Sequence, residues 1–151
     1  MLRWPLWTVI GLILIVMIGI GAGPWLFYGI GLAKVDGRPL HASQTVVTPE
    51  DAEALWRRLR IPQPVRLDPV SPYSYVQALV FGDQKILGPS ARIAWIIASS
   101  YDIGHLTDHR AWAWHLSGAA LTVWLTRNWT PNELVAKAVE LANNGGERRR
   151  F

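Results

Sequence analysis

Cysteine is absent from this chain of 151 residues. Disulfide bonds and thiolate metal sites are therefore excluded, and cysteine usage gives no information about the redox compartment. Charged residues are also scarce: they make up 17% of the chain, whereas typical soluble domains contain about 25%. Much of this deficit falls in the first 33 residues. The composition indicates a membrane anchor followed by one modest domain.

Several sequence patterns of catalysis and phosphate binding are missing as well. The chain has no glycine-rich phosphate loop, no Ser/His/Asp set at a known spacing and no paired carboxylates in a plausible cleft. The net charge is +4, but the basic residues are spread out and form one dense cluster, Arg148–Arg150, at the end of the chain. Such a short run is typical of a solvated tail, so we expect no nucleic-acid partner.

An apolar run near the start of the chain predicts a transmembrane helix. Eighteen residues from Leu6 to Gly23 carry no charge, and the uncharged stretch continues to Ala33. About 20 residues cross a hydrocarbon core of about 30 Å. Aromatic residues flank the run, as the interfacial belts of membrane helices do: Trp4 and Trp7 before it, and Trp25 and Tyr28 after it. Residues 1–33 are therefore predicted to form an anchor in a lipid bilayer.

A cleaved signal peptide is the alternative interpretation of this run. The run is long for a signal peptide, and Pro24 follows its small-residue cluster Gly21–Gly23, which favours an uncut anchor. Gly19 and Gly23 form a small-xxx-small pair that would let two such helices pack as a homodimer. The positive-inside rule leaves the orientation open, because Arg3 is balanced by Lys34 and Arg38.

The rest of the chain reads as an all-α domain. Residues 34–47 have no apolar periodicity and are predicted to be a linker, residues 48–146 a helical domain and residues 147–151 a basic tail. Apolar periodicity and cap residues predict five helices, which run from Thr48 to Arg60, Ser71 to Ile86, Ser90 to Ser100, Thr107 or Asp108 to Thr126, and Thr130 to a C-cap at Asn143–Gly146.

Two histidines raise the question of a metal site. His105 and His109 are four residues apart, with Asp102 and Asp108 beside them, and imidazoles at that spacing on a helix can bind a divalent metal together with a carboxylate. Gly104 and Thr107 place His105 before the helix begins, which would spoil the spacing. We therefore predict surface histidines, no metal and no other cofactor; His105, His109 and Asp102 are the candidate ligands if a metal does bind.

Tryptophan is concentrated in the last third of the chain, where Trp112, Trp114, Trp124 and Trp129 surround His115. Indole faces stack on sugar rings in carbohydrate sites and bury a large apolar area. The same residues also serve in helical cores and at the bilayer surface. The sequence leaves both interpretations open.

Two stretches resemble the monofunctional biosynthetic peptidoglycan transglycosylases of glycosyltransferase family 51. Val70–Ile86 is similar to the helix that leads into the EDxxF motif of that family, and Trp112–Glu140 is similar to its RKxxE helix and the helix that follows. The resemblance implies a lysozyme-like helical core, here truncated. It also implies an external, periplasmic domain on a single-pass anchor in the inner membrane. Family members polymerise a lipid-linked disaccharide, usually with a divalent metal.

The chain differs from the family at the positions of the catalytic and donor-site residues. The two catalytic glutamates fall on Gly82 and Gly118, and Trp114 and His115 replace the basic pair of RKxxE. Polar donor-site residues are replaced by apolar ones within 93–100, and the YLN asparagine falls on Glu140. Glycine cannot transfer a proton, so Asp83 is the one catalytic candidate left, although it points about 100° away from position 82 around a helix.

These observations lead to three functional hypotheses. The leading one is a catalytically degenerate transglycosylase-like protein that binds lipid-linked glycan, peptidoglycan or a protein partner at the cell envelope. Its candidate ligand-binding residues are Lys85, Trp112, Trp114 and His115. The alternatives are an active but divergent glycosyltransferase, and an unrelated inner-membrane complex subunit whose tryptophan-rich helix docks on a partner.

Overall fold

The structure is a computed structural model that describes residues 6–43, 46–62 and 65–148. Within these ranges the chain is all-α, with no β-strand and a single isolated bridge between Val35 and Leu106. A short 3₁₀ helix, Gln84–Leu87, joins the third and fourth α-helices. The six α-helices are α1 (Leu6–Leu32), α2 (Pro49–Leu59), α3 (Pro72–Phe81), α4 (Gly88–His105), α5 (Ala111–Asn128) and α6 (Pro131–Arg148).

Helix α1 is long and apolar enough to cross a membrane, and its apolar segment runs from Trp7 to Leu32. Its last turns pack against α5, where Gly31 lies so close that an added Cβ would be 2.6 Å from the Leu116 carbonyl oxygen. Earlier along α1, the Trp25 ring lies 5.6 Å from the Arg127 guanidinium. The two helices are therefore antiparallel, and the first part of α1 projects beyond the end of α5.

Helices α4 and α5 form an antiparallel hairpin at the centre of the domain. Their facing apolar side chains are the most deeply buried of the core, as the uninterrupted apolar run Ile93–Ala98 in α4 predicts: Ile93, Ile97, Leu121 and Leu125. Helix α6 packs on α4 and α5, and α2 packs on α6. We call the end of the hairpin that contains Ala91 and Arg127 the anchor end, because α1 leaves the domain there. The opposite end, at 106–110, is the loop end.

Cap residues explain why α2 and α6 begin where they do. The Thr48 side chain accepts a hydrogen bond from Asp51 N, and Pro49 occupies the first helical position. At the start of α6, Thr130 N donates to Glu133 Oε2 at 2.6 Å, and Glu133 N donates to Thr130 Oγ1 at 3.4 Å. This reciprocal pair is the predicted capping box, so both predicted helix starts are confirmed.

Four of the predicted helix boundaries were wrong. The helix expected from Ser71 to Ile86 ends at Phe81, because Gly82 adopts a left-handed conformation (φ 68°) that terminates α3. Helix α4 extends past Ser100 to His105, and α5 starts at Ala111 after a loop. Helix α6 continues through Asn143–Gly146 to Arg148, so the predicted C-cap does not end it. Residues 149–151 of the predicted tail lie outside the described residues.

The segment after α1, predicted to be a linker, has no helix but packs tightly on the loop end. Val35 is buried in the core. Asp36 N donates to the His105 carbonyl oxygen at 2.9 Å, and Thr107 N donates to that of Lys34 at 3.0 Å. The domain therefore includes the end of α1 and the residues that follow it.

Candidate functional site

A cavity of about 360 Å³ opens at the loop end of the hairpin. The end of α4, the connecting loop and the start of α5 form its walls. Its lining combines one acid, two imidazoles and one indole with apolar side chains: Asp102, Ile103, Leu106, His109, Ala111, Trp114 and His115. Small-molecule sites typically occupy about 300–1,000 Å³, so the cavity suits a small ligand or one residue of a polymer.

Asp102 is the buried polar group of this cavity, with 1% of its surface exposed. Its Oδ2 accepts a hydrogen bond of 2.8 Å from Ser117 Oγ of α5. Its Oδ1 is buried and has no hydrogen-bond partner among the described residues. Burial raises the pKa of Asp102 above its ordinary value of 3.8, and the Ser117 hydroxyl opposes this shift. A carboxylate oxygen can accept hydrogen bonds from O–H or N–H groups, so Oδ1 has unused acceptor capacity.

Aromatic rings form the other side of the cavity. The Trp114 ring packs edge to face with the Trp95 ring at a centroid distance of 5.4 Å and with the His115 ring at 4.8 Å. Trp114 is half-buried and His115 is exposed. The Trp114 ring is thus held in place by packing, while the exposed His115 imidazole is accessible to a ligand.

Charged side chains fix the loop next to the cavity. Asp108 accepts hydrogen bonds from Lys34 Nζ at 3.3 Å and from Arg110 Nη2 at 2.7 Å. The bonds from Arg110 hold the pKa of Asp108 well below its usual range. The Trp112 ring is close to the same two cations, 5.2 Å from Lys34 Nζ and 4.9 Å from the Arg110 guanidinium. The loop is therefore connected to the end of α1.

The three residues considered for a metal site take different positions. His105 stacks on the Tyr101 ring, and its Nδ1 lies 2.9 Å from the Tyr101 carbonyl oxygen. His109 and Asp102 both line the cavity. Within the described part of the chain, no group of three histidine or carboxylate side chains is placed to hold a metal ion. The geometry offers no support for a metal at these residues.

The four candidate ligand-binding residues do not converge on one site. Trp114 and His115 line the cavity, whereas Trp112 is 46% exposed outside it, against Lys34 and Arg110. Lys85 lies in the 3₁₀ helix at the anchor end of α4, the opposite end from the cavity. The neighbouring tryptophans belong to the core, since Trp129 is buried and Trp124 packs against the same cluster.

Gly82 and Gly118, which the family resemblance leads us to expect in place of two glutamates, each have a structural role in this fold. Gly82 is exposed and terminates α3 with a positive φ, which strains any residue with a side chain. Gly118 is buried, and a Cβ there would be 2.8 Å from Cζ3 of the Trp95 ring. Asp83 accepts a hydrogen bond of 3.0 Å from Lys85 N and so caps the 3₁₀ helix. Neither glycine lines the cavity.

A second cavity, of about 240 Å³, lies between α6 and the segment before α2. Glu140 lines it, and this carboxylate already accepts hydrogen bonds from Ser43 N at 2.8 Å and Ser43 Oγ at 3.0 Å. It also pairs with Lys137, whose hydrogen bond lowers the pKa of Glu140. These bonds attach the chain before α2 to α6, and they leave Glu140 better suited to a structural role than to binding.

Ser117 is the site residue that the sequence did not indicate. It lies fifteen residues from Asp102, and the α4–α5 hairpin brings the two together. A serine inside an apolar helix usually bonds its own backbone, so nothing in the local sequence predicts the contact.

Compared with models of known protein families, with curated proteins and with solved structures, the chain shows no match. The similarity to the peptidoglycan transglycosylases therefore stays an expectation from the sequence.

Proposed function

We propose that this chain is a membrane-anchored protein of the cell envelope that binds a saccharide in the loop-end cavity and does not catalyse glycosyl transfer. Helix α1 would cross the membrane, and the helical domain would stand on its outer face. The observation that carries the proposal is that Asp102, whose Oδ1 is buried and has no partner among the described residues, lines an open cavity together with Trp114.

The chemistry of the lining supports a saccharide. A carboxylate oxygen accepts hydrogen bonds from sugar hydroxyl or acetamido N–H groups, and an indole packs against the apolar face of a sugar ring. The exposed imidazoles of His109 and His115 add polar atoms at the rim. Because an unsatisfied buried acceptor costs about 1–3 kcal/mol, a ligand that donates to Oδ1 recovers this cost on binding.

The same lining argues against glycosyl transfer. Glycoside chemistry generally needs two carboxyl groups placed on either side of the reacting bond. Among the described residues that line the cavity, Asp102 is the one acid. The glycines at positions 82 and 118 and the capping role of Asp83 supply no substitute. Binding without turnover is therefore the better supported activity.

The position of the cavity favours a glycan strand over a lipid-linked precursor. Arg127 lies beside Trp25 at the anchor end, whereas Trp114 lines the cavity at the loop end. Thirteen residues of helix separate Arg127 from Trp114, which corresponds to about 20 Å along α5. A polymer that lies away from the bilayer reaches this height more easily than a sugar attached to a lipid headgroup.

Co-sedimentation with purified peptidoglycan sacculi tests the proposal, with the full-length protein in detergent. We expect the parent chain to sediment with the sacculi. Asp102→Asn, which replaces an acceptor oxygen with a donor, should weaken binding at least tenfold, as should His115→Ala combined with His109→Ala. Glu140→Gln, at the second cavity, is the matched control and should bind like the parent. Equal sedimentation of the parent and the Asp102→Asn variant would disprove the site.

Polymerisation of lipid-linked precursor tests the absence of catalysis. We expect the purified chain to form no glycan polymer. Robust polymer formation that disappears in Asp83→Ala would replace this proposal with the active, divergent transglycosylase.

A further inference from the structure

The last turn of α3 exposes a compact group of large apolar side chains. Leu79, Val80 and Phe81 have 70%, 71% and 72% of their surface exposed. Helix α3 has ten residues, PYSYVQALVF, and none of them is charged. Tyr73 at its start is also exposed, while Ala78 faces the domain. Water is a poor environment for such a surface, so a partner of apolar chemistry is expected.

Helix α3 lies at the anchor end of the domain. Val70, just before it, packs with Ala91 at the start of α4 and Val123 near the end of α5. The Tyr73 hydroxyl donates a hydrogen bond to the backbone carbonyl oxygen of Gly21 in α1. The 3₁₀ helix that follows α3 leads directly into α4. The exposed group is therefore next to the point where α1 leaves the domain.

The length of α1 gives the height of this contact relative to a bilayer. The apolar segment begins at Trp7, and about 20 residues cross a hydrocarbon core of about 30 Å. A span that starts at Trp7 therefore reaches the opposite interface near Trp25. Gly21, the residue that Tyr73 contacts, is one turn short of that level.

Basic side chains surround the same end of the domain. Lys85 follows the apolar group, Arg92 lies in the first turns of α4, and Arg127 lies beside the Trp25 ring; all three are exposed. The acid nearest in sequence, Asp83, caps the 3₁₀ helix. Apolar residues edged by cations suit the boundary between acyl chains and anionic lipid headgroups.

We infer that α3 is a second membrane contact, with Leu79, Val80 and Phe81 inserted into the outer interface of the membrane that α1 spans. This inference rests on the proposed function only for the transmembrane role of α1 and is independent of the saccharide site. The bilayer is the occupant because α3, which carries the exposed group, packs against the membrane helix and contacts it through Tyr73. Docking at α1 and α3 together fixes the tilt of the domain and directs the loop-end cavity away from the lipid.

The absence of cysteine makes the depth of single residues measurable, because any introduced cysteine is the only labelling site. Phe81→Cys and Val80→Cys report the proposed contact. Ile13→Cys reports the middle of α1, and Ile103→Cys, 80% exposed near the loop end, is the matched apolar control. Each full-length variant carries an environment-sensitive fluorophore and is reconstituted into phosphatidylcholine and phosphatidylglycerol vesicles. Nitroxide groups on headgroups or acyl chains then quench the label according to depth.

We expect shallow acyl-chain nitroxides to quench the labels at positions 80 and 81 severalfold more than the label at 103, which stays in water. The label at 13 should respond most to nitroxides near the bilayer centre. Interfacial helices bury their apolar face by about 5–10 Å. The labels at positions 80 and 81 should therefore lie at a depth between that of the label at 13, near the bilayer centre, and that of the label at 103, in water.

Three results would overturn the inference, and they are distinguishable. If the label at 13 is quenched in the bilayer but those at 80 and 81 behave like the one at 103, α1 is a membrane anchor and α3 is not a lipid contact. If no label, including that at 13, is quenched by lipid nitroxides, the anchor itself fails and the membrane part of the proposed function fails with it. Labels at 80 and 81 shielded from both water and lipid would indicate a protein contact instead.

Discussion

Asp102 illustrates how one buried group can combine a structural cost with a functional use. Ser117 satisfies one carboxylate oxygen, and the other is buried without a hydrogen-bond partner among the described residues. Replacing such a group would increase folding stability, because no hydrogen bond offsets the desolvation cost of the unpaired oxygen. A buried acceptor without a partner, on a residue that lines a cavity, is compatible with a binding role.

Asp102→Asn should stabilise the unliganded protein in a pH-dependent way. Burial raises the pKa of Asp102 from its ordinary 3.8, so the folded state binds the proton more tightly than the unfolded state. The free energy of unfolding of the parent therefore falls as the pH rises from about 4 through the raised pKa, and it is constant above that. The Asp102→Asn variant has no titrating group at this position, so its free energy of unfolding does not fall in this way. Thermal unfolding in detergent should give matching stabilities near pH 4 and a more stable variant at pH 7; a less stable variant at pH 7 would contradict the prediction.

Gly118→Ala should destabilise the domain by about 1–3 kcal/mol, as overpacking does in well-packed cores. The added Cβ would be 2.8 Å from Cζ3 and 3.0 Å from Cη2 of the Trp95 ring, which Trp114 holds in place. Gly104→Ala is the control, because nothing lies within 4 Å of its Cβ in the last turn of α4. That change should stabilise by about 0.5–1 kcal/mol. Chemical denaturation measures both, and equal effects of the two substitutions would refute the packing role of Gly118.

At the residue scale, sequence patterns predicted part of the site. Asp102, His109, Trp114 and His115 were each singled out, but as members of separate metal and ligand hypotheses. The cavity unites them because the α4–α5 hairpin folds position 102 against position 117, a contact with no local pattern. Trp112 and Lys85 were grouped with them by residue type, and the structure separates them from the cavity. The type of each residue is known from the sequence. Tertiary packing decides which of these residues come together in one cavity.

At the scale of elements, helix starts were more predictable than helix ends. Thr48 and Thr130 begin α2 and α6 through local side-chain bonds that the sequence displays. Helix ends depend on what the helix packs against: α6 continues past Asn143–Gly146, and α3 stops at Gly82, inside a stretch that was predicted to be one helix. The docking of residues 34–37 on the loop end is also a tertiary effect, since their composition indicates only irregular structure.

The contact between α1 and α5 depends on a glycine, and Gly31→Ala should loosen it. An added Cβ would be 2.6 Å from the Leu116 carbonyl oxygen, which is backbone and cannot move aside like a side chain. We expect a loss of about 1–3 kcal/mol of unfolding free energy. Gly29→Ala, in the same helix with nothing within 4 Å of its Cβ, should be neutral or slightly stabilising. Thermal unfolding in detergent, followed by circular dichroism, distinguishes the two; a neutral Gly31→Ala would mean that α1 and α5 do not pack closely.

At the scale of the whole molecule, the two ends of the α4–α5 hairpin have different chemistry. The anchor end carries α1, the apolar tip of α3 and exposed cations. The loop end carries the cavity and a network of ion pairs and hydrogen bonds. A single-pass protein with this polarity would present its cavity at a fixed height above the membrane, provided that the domain does not swing freely. The packing of α1 on α5 supplies that rigidity.

The domain should therefore require the end of α1 to fold, and two truncations test this. A chain that begins at Gly23 retains Tyr28, Leu32 and Val35, which pack into the two apolar clusters of the domain. A chain that begins at Arg38 lacks all three. Each large apolar side chain that is lost removes about 1.5–3 kcal/mol of burial, against a net stability of about 5–15 kcal/mol for a typical domain. In the same mild detergent, the longer chain should unfold cooperatively, and the shorter chain should melt far lower or aggregate. If the shorter chain unfolds at the same temperature, the end of α1 is a tether and not part of the folded domain.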